Sequence, residues 1–180
     1  MREDKIVQFV CFETILDSEQ FITRWEEFIR PVNSDLNVTL QQSEKNGVFR
    51  YIAQHRSSTG EFQFVFTKAR RSSRTAVVEI SVKQAGGYSI LQSEKIKDVH
   101  TYNNKVFVFL TDPATDLTIY RQLSTHSILN IYEAYYENCK YAYILEYFVN
   151  NKYAPELLEQ LKLSGTAEIG IYKECVLQAL

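Results

Sequence analysis

Cysteine is scarce in this 180-residue chain, charge of one sign gathers only in the short basic bend Arg70-Arg71-Ser72-Ser73-Arg74, which reads as a solvated loop rather than an anion site, and no apolar run is long. Each lack excludes a class of protein. The three cysteines, Cys11, Cys139 and Cys175, lie far apart. An odd count without CxxC or CxxH spacing argues against a disulfide framework and against a zinc site, so no metal is expected. The formal net charge is −2, from 20 basic and 22 acidic side chains. Without a basic block the chain lacks the footprint of a phosphate-backbone binder, and nucleic acid is not an expected partner. No apolar run reaches the length of a membrane span. The N-terminal MREDK mixes both charge signs and precedes no long apolar core, unlike a secretory leader. A cytoplasmic setting follows as the expectation. Catalytic signatures are missing too. There is no HExxH and no GxSxG, and Gly86-Gly87 lacks the third glycine and the strand-turn-helix context of a phosphate loop. No cofactor is expected.

What the chain has is tyrosine and phenylalanine. It carries 12 Tyr and 11 Phe against one Trp and one Met. Much aromatic surface with hydroxyl handles must therefore be placed. Residues 5–14 (KIVQFVCFET) read as a strand apolar on both faces, which needs covering on both sides. In residues 18–30 (SEQFITRWEEFIR), Phe21, Ile22, Trp25, Phe28 and Ile29 recur at spacings of three and four, the stripe of an amphipathic helix. Asp17 or Ser18 can cap it, and Pro31 ends it. Strands follow at 37–42 and 48–55, joined by a turn at Glu44-Lys45-Asn46-Gly47 in which Gly47 can take a positive φ. Ser58 and Glu61 have capping-box spacing before Phe62, Val65, Phe66 and Ala69, which favours a helix there. Alternation of Phe62, Phe64 and Phe66 leaves a strand open as the rival. Gly86-Gly87 reads as a break, and 88–92 as a strand.

Residues 93–104 are polar and charged, and 96–104 is read as a linker between repeats at 1–95 and 105–180. Strand 105–110 opens the second series. Asp112-Pro113 reads as a helix start. Strands 128–136 and 141–149 flank a turn, Pro155 opens a helix that Gly165 stops, and 167–177 is the last strand. Each half thus reads strand, helix, strand, strand, helix, strand, the ferredoxin-like order. The expected fold is α+β: two βαββαβ repeats packed sheet to sheet as an intramolecular barrel, each covering the other's apolar face.

Three segments of the first half carry a family resemblance. They are Phe21-Ile22-Thr23-Arg24-Trp25, the strand from Phe49 to Ser57, and Gly87-Tyr88-Ser89-Ile90-Leu91. They resemble the first helix and the third and fourth strands of antibiotic biosynthesis monooxygenase-like domains, within the dimeric α+β barrel superfamily. The likeness covers about residues 5–95; the second half matches in element order alone. It implies the barrel fold, with the family's usual homodimer formed inside one chain. The protein would then be a monomer with an internal pseudo-dimer, a weak homodimer remaining compatible. The chain departs from the family at two places. It has His55 where many family enzymes carry tryptophan, and Tyr51 where cofactor-free oxygenases often carry asparagine.

Candidate functional residues follow. His55 ends a strand beside Tyr51; its imidazole could take a proton from a phenol, or simply sit at the sheet rim. Tyr132 and Tyr136 share one strand face, and Tyr141, Tyr143 and Tyr147 share a face of the partner strand. Together with Tyr88 these rings could line a cavity for a flat aromatic molecule, or they could fill a core. Glu133 and Glu146 are candidates to pair with Arg50 or Arg121. The function expected is a small-molecule-binding or structural module. Cofactor-free oxygenation of a phenolic substrate is the alternative, and an oligomeric scaffold using sheet edges the third reading.

Overall fold

The computed structural model describes residues 6–25, 37–57, 81–94, 101–123, 125–137, 139–166 and 168–172; for 6, 8, 24, 37–45, 55–57, 81–85 and 172 it describes the backbone alone. Two compact units emerge, Met1–Tyr88 and Ser89–Leu180. The first contains β1 (Ile6–Thr14), α1 (Ser18–Arg24), β2 (Asn37–Lys45), β3 (Val48–Ser57) and most of β4 (Ser81–Gln92), which enters the second unit at Ser89. Its strands lie in the order β2-β3-β1-β4. The second contains β5 (Asn104–Leu110), α2 (Thr118–Gln122), β6 (Ser127–Ala134), β7 (Tyr143–Val149), α3 (Ala154–Leu163) and β8 (Ile169–Tyr172). Its strands lie in the order β6-β7-β5-β8. In both units the first strand runs antiparallel between the third and the fourth. That is the ferredoxin-like arrangement, complete in the second unit.

The first unit is built as its pattern dictates. Asp17 caps α1, its carboxylate accepting from Gln20 N at 2.9 Å, while the Gln20 side chain accepts from Asp17 N at 3.3 Å. This reciprocal box satisfies two amides of the first turn. Phe21 stacks on Tyr51 at 3.8 Å and 6°, and Trp25 lies 5.9 Å from Phe12. Ile22, assigned to the apolar stripe, is instead exposed. Among the described residues, α1 and its C-cap meet the sheet through the rings of Phe21 and Trp25. Residues 26–30 and the segment 58–80, with its helix-or-strand alternative, lie outside the described residues. The β2–β3 turn has positive φ at both Asn46 (55°) and Gly47 (77°). Two such residues match the right-handed twist of a tight hairpin.

Three local expectations are corrected. Gly86 and Gly87 do not break the chain; they sit inside β4, opposite Phe9 and Gln8 of β1. Pairing with β1 overrides their weak strand preference, and on the neighbouring positions the Phe9 ring meets Tyr88 edge-on at 5.5 Å. Asp112-Pro113 makes a turn rather than a helix start. Asp112 Oδ1 accepts from Ala114 N at 2.9 Å, and its carbonyl from Thr115 N at 3.2 Å. Proline's fixed φ suits the second position of such a turn. The helix starts later, where Asp116 accepts from Thr118 N at 3.0 Å. Asn104, assigned to the linker, is the first residue of β5 and buried.

In the second unit α2 and α3 cover one sheet face. Leu117 and Tyr120 from α2, and Ala154, Leu157 and Leu161 from α3, pack with Val106, Val108, Leu129, Leu145 and Tyr147. Pro155 stands in the first turn of α3, and Gly165 ends it at φ 83°. An asparagine knot holds the start of β5 to the turn after β7: the Asn104 amide donates to the Asn151 side chain, and Asn151 N to Asn103 Oδ1 at 3.2 Å. Among the described residues no helix is long and apolar enough to cross a membrane.

Candidate functional site

Register divides the second unit's sheet into two faces of different chemistry. On β7, Tyr143, Leu145 and Tyr147 point to the α2–α3 side with Val106 and Val108 of β5. Ile144, Glu146 and Phe148 take the other face, opposite Phe109, Phe107 and Lys105 of β5 and Tyr132, Asn130 and Ile128 of β6. This second face is buried although neither α2 nor α3 covers it, and it carries both an acid and a base. The Lys105 side chain is 6% exposed and that of Glu146 2%.

Glu146 is the centre of the cluster. Its Oε1 accepts from Tyr132 OH at 3.0 Å and from Asn130 Nδ2 at 3.2 Å. Its Oε2 lies 3.4 Å from Lys105 Nζ, yet accepts no hydrogen bond. The ammonium also sits 5.0 Å from the centroid of the Phe148 ring. Asn130 Oδ1 in turn accepts from Glu94 N at 2.9 Å, tying the cluster to the segment that follows β4. A lysine has three donors, and here one ion pair and one ring contact hold it. Buried polar atoms are normally satisfied, so a carboxylate oxygen left without a hydrogen bond beside an ammonium asks for a reason. Burial of an ion pair is weak as a stabilising device, because desolvation offsets the attraction. Titratable groups gathered in a desolvated place are candidates for function.

The residues singled out in the sequence are distributed differently. Tyr132 belongs to the cluster. Tyr143 and Tyr147 lie on the opposite face, so the expected group of five rings does not form: Tyr132 opposes Ile144, and Tyr147 opposes Leu129. Tyr147 donates to the Tyr120 carbonyl at 2.7 Å, and burial raises its hydroxyl pKa. Tyr143 donates to the Pro113 carbonyl at 3.1 Å. Tyr136 falls beyond the end of β6, exposed and edge-on to Tyr135. Tyr88 is buried in the first unit beside Phe9. Tyr51 lies beneath α1 and donates to the Leu16 carbonyl at 2.7 Å; burial, then the nearby Asp17 charge, raise its pKa. His55 pairs with Gln8 in the ladder, and its side chain lies outside the described residues. The arginine pairings are also corrected. Arg50 meets Glu13 at 3.2 Å, and Arg121 donates to Gln92 at 2.9 Å.

Lys105 and Asn130 carried no role in the sequence reading, and Glu146 was given another partner. A signal was present. Glu146 is the single charge in YILEYFV, and a charge inside a strand buried on both faces has to be matched. Among the described residues no group of three His, Cys, Asp or Glu side chains could hold a metal ion.

No family model matches the sequence, and no curated protein does. Solved structures of similar fold exist. A mutant chlorite dismutase from Candidatus Nitrospira defluvii in complex with cyanide aligns over 97% of this chain and 92% of its own, at 9% identity and a TM-score of 0.51. A novel heme-binding protein from Thermus thermophilus aligns over 94% of this chain and 90% of its own, at 10% identity and a TM-score of 0.50. At such identities the likeness is one of fold, and it does not establish the monooxygenase-like family.

Proposed function

We propose that this chain is a small-molecule-binding protein whose second unit holds its ligand at the Lys105–Glu146 cluster. The observation that carries the reading is the buried Glu146 Oε2, without a hydrogen bond and 3.4 Å from an ammonium. A ligand group that both donates and accepts would satisfy the carboxylate and the lysine together. A phenol, a carboxylic acid or a carboxamide qualifies. Phe107, Phe109 and Phe148 share that face, which suits a flat apolar body behind the polar head. The fold neighbours support a binding role in general terms, one being a heme-binding protein and another a complex with cyanide.

Haem itself does not fit the described residues. Haem iron needs an axial ligand, most often histidine. His126 is the histidine whose side chain is described, and it stacks on Tyr153 at the turn before β6. No imidazole among the described residues accompanies Lys105 and Glu146. The phenol-oxygenase alternative gains nothing from Tyr51, whose hydroxyl is spent on Leu16.

The test is titration of the intact protein with 2-naphthol and 2-naphthoic acid, followed by probe fluorescence. Saturable binding is expected, and its loss in the Lys105→Met/Glu146→Gln double variant with circular dichroism unchanged. Equal affinity in that variant, or no binding of either probe by the unmodified protein, refutes the assignment.

A further inference from the structure

The β2–β3 hairpin ends in two residues with a chemistry of their own. Asn46-Gly47 is the single Asn-Gly step of the chain. Both residues are exposed, and nothing lies within 4 Å of the place where a Cβ on Gly47 would stand. Lacking a side chain, glycine leaves its own amide nitrogen unhindered and its backbone free to turn. That nitrogen can attack the side-chain carbonyl carbon of Asn46. The new C–N bond closes a five-membered succinimide. The carboxamide nitrogen leaves as ammonia and carries off the Gly47 amide proton. Water then opens the ring at either carbonyl, leaving aspartate or its isoaspartyl isomer.

The closed turn opposes this reaction. Asn46 has φ 55°. For a residue with a side chain, that φ belongs to the left-handed region, where ψ is about +47°. Such a ψ sets the Asn46 Cβ almost opposite the Gly47 nitrogen across the Cα–C bond, so the reacting atoms point apart. The rotation that brings them together dismantles the turn. What holds the turn shut is short. Lys45 pairs with Val48 and Glu44 with Phe49, and the register then shifts between Gln41 and Glu44. Two pairs ahead of an irregularity, around exposed residues, belong to the low end of local opening free energies. β2 also stands at the end of the strand order, with β3 as its neighbour.

We propose that Asn46-Gly47 is a self-modification site gated by the hairpin, inert while the turn is closed and converted through the succinimide when the tip opens. The step runs one way. Isoaspartate routes the main chain through its own Cβ, which adds a methylene to a two-residue loop and a negative charge next to Lys45. Such a loop no longer matches the tight turn, and the register it sets for β2 on β3 is released. The Lys105–Glu146 cluster plays no part in this.

The experiment holds the intact protein at mildly alkaline pH in buffer and in unfolding urea. Mass spectrometry follows conversion at each asparagine, and fragmentation identifies isoaspartate. A synthetic peptide of residues 43–50, run in both media, corrects for the solvent. In urea, Asn46 should convert faster than every other asparagine. In buffer its conversion should be slower by about tenfold or more, the signature of a gate that is mostly shut. Hydrogen exchange then reads the consequence. Isoaspartyl molecules should lose amide protection at the β2–β3 tip, whereas freshly prepared Asn46→Asp, with the charge but not the methylene, should keep it. Equal corrected rates in buffer and urea, no preference for Asn46 in urea, or full protection in the isoaspartyl molecules would each overturn the proposal.

Discussion

The Lys105–Glu146 pair supports a thermodynamic cycle with a definite expectation. At 3.4 Å and an effective dielectric of about 20, the gross attraction of two unit charges is about 5 kcal/mol. Burial of both groups, each under a tenth exposed, costs several kcal/mol per ion. The two terms are of similar size, so the pair as a whole adds little. Removing one member is different, because the survivor keeps its desolvation penalty and loses its compensation. Lys105→Met and Glu146→Gln should therefore each destabilise by about 3–5 kcal/mol. Glutamine still offers an oxygen to Tyr132 and Asn130, so the second variant isolates the charge. The double variant should lie within about 2 kcal/mol of the unmodified protein, a coupling far outside additivity. Urea unfolding followed by circular dichroism measures all four corners. Single losses below about 1 kcal/mol, or a double loss equal to their sum, would refute the claim that these charges are desolvated and compensate one another. A near-neutral double variant would mean that the pair is not retained for stability.

Three further outcomes follow from the geometry. Phe21→Ala removes the ring stacked on Tyr51 and should cost about 3–5 kcal/mol in the first unit, read as a lowered urea midpoint. Gly47→Ala should cost about 1 kcal/mol through the backbone alone, since φ is 77° and an added Cβ meets nothing within 4 Å; an unchanged midpoint would contradict the turn assignment. Tyr51 and Tyr147 have their hydroxyl pKa values raised, chiefly by burial, above the unfolded value of 10.0. The stability they confer is complete below that value and is lost as pH climbs past it toward the folded values. Urea midpoints taken across this alkaline range should fall, and fall less in Tyr147→Phe; a flat profile would contradict the burial of both hydroxyls.

Where local patterning and tertiary pairing agree, the elements were legible from the chain. β1, β3, β5, β7 and α3 appear where alternation, runs of apolar residues, Pro155 and Gly165 place them. Disagreement arose where pairing overrode a local preference, as at Gly86-Gly87, or where one motif serves two purposes, as Asp-Pro serves both helix starts and turns. The tyrosines misled for a geometric reason. Alternation shows which residues of one strand share a face, but it does not show how two strands align. Only the pairing of Tyr132 with Ile144 reveals that Tyr132 and Tyr147 are separated by the sheet. Lys105 and Glu146 were harder to see because they meet through neighbouring strands 41 positions apart in sequence, a contact that no local period encodes.

β7 keeps Leu145 and Tyr147 under the helices and Glu146 on the far side by nothing more than parity. Inserting or deleting a single residue within Tyr143–Val149 would exchange the two sets, driving a carboxylate into the oily layer and stranding Lys105 without its counter-ion. Length variation in descendants of this chain should therefore collect in the exposed connection at 135–137, while the seven positions of β7 change identity but never number.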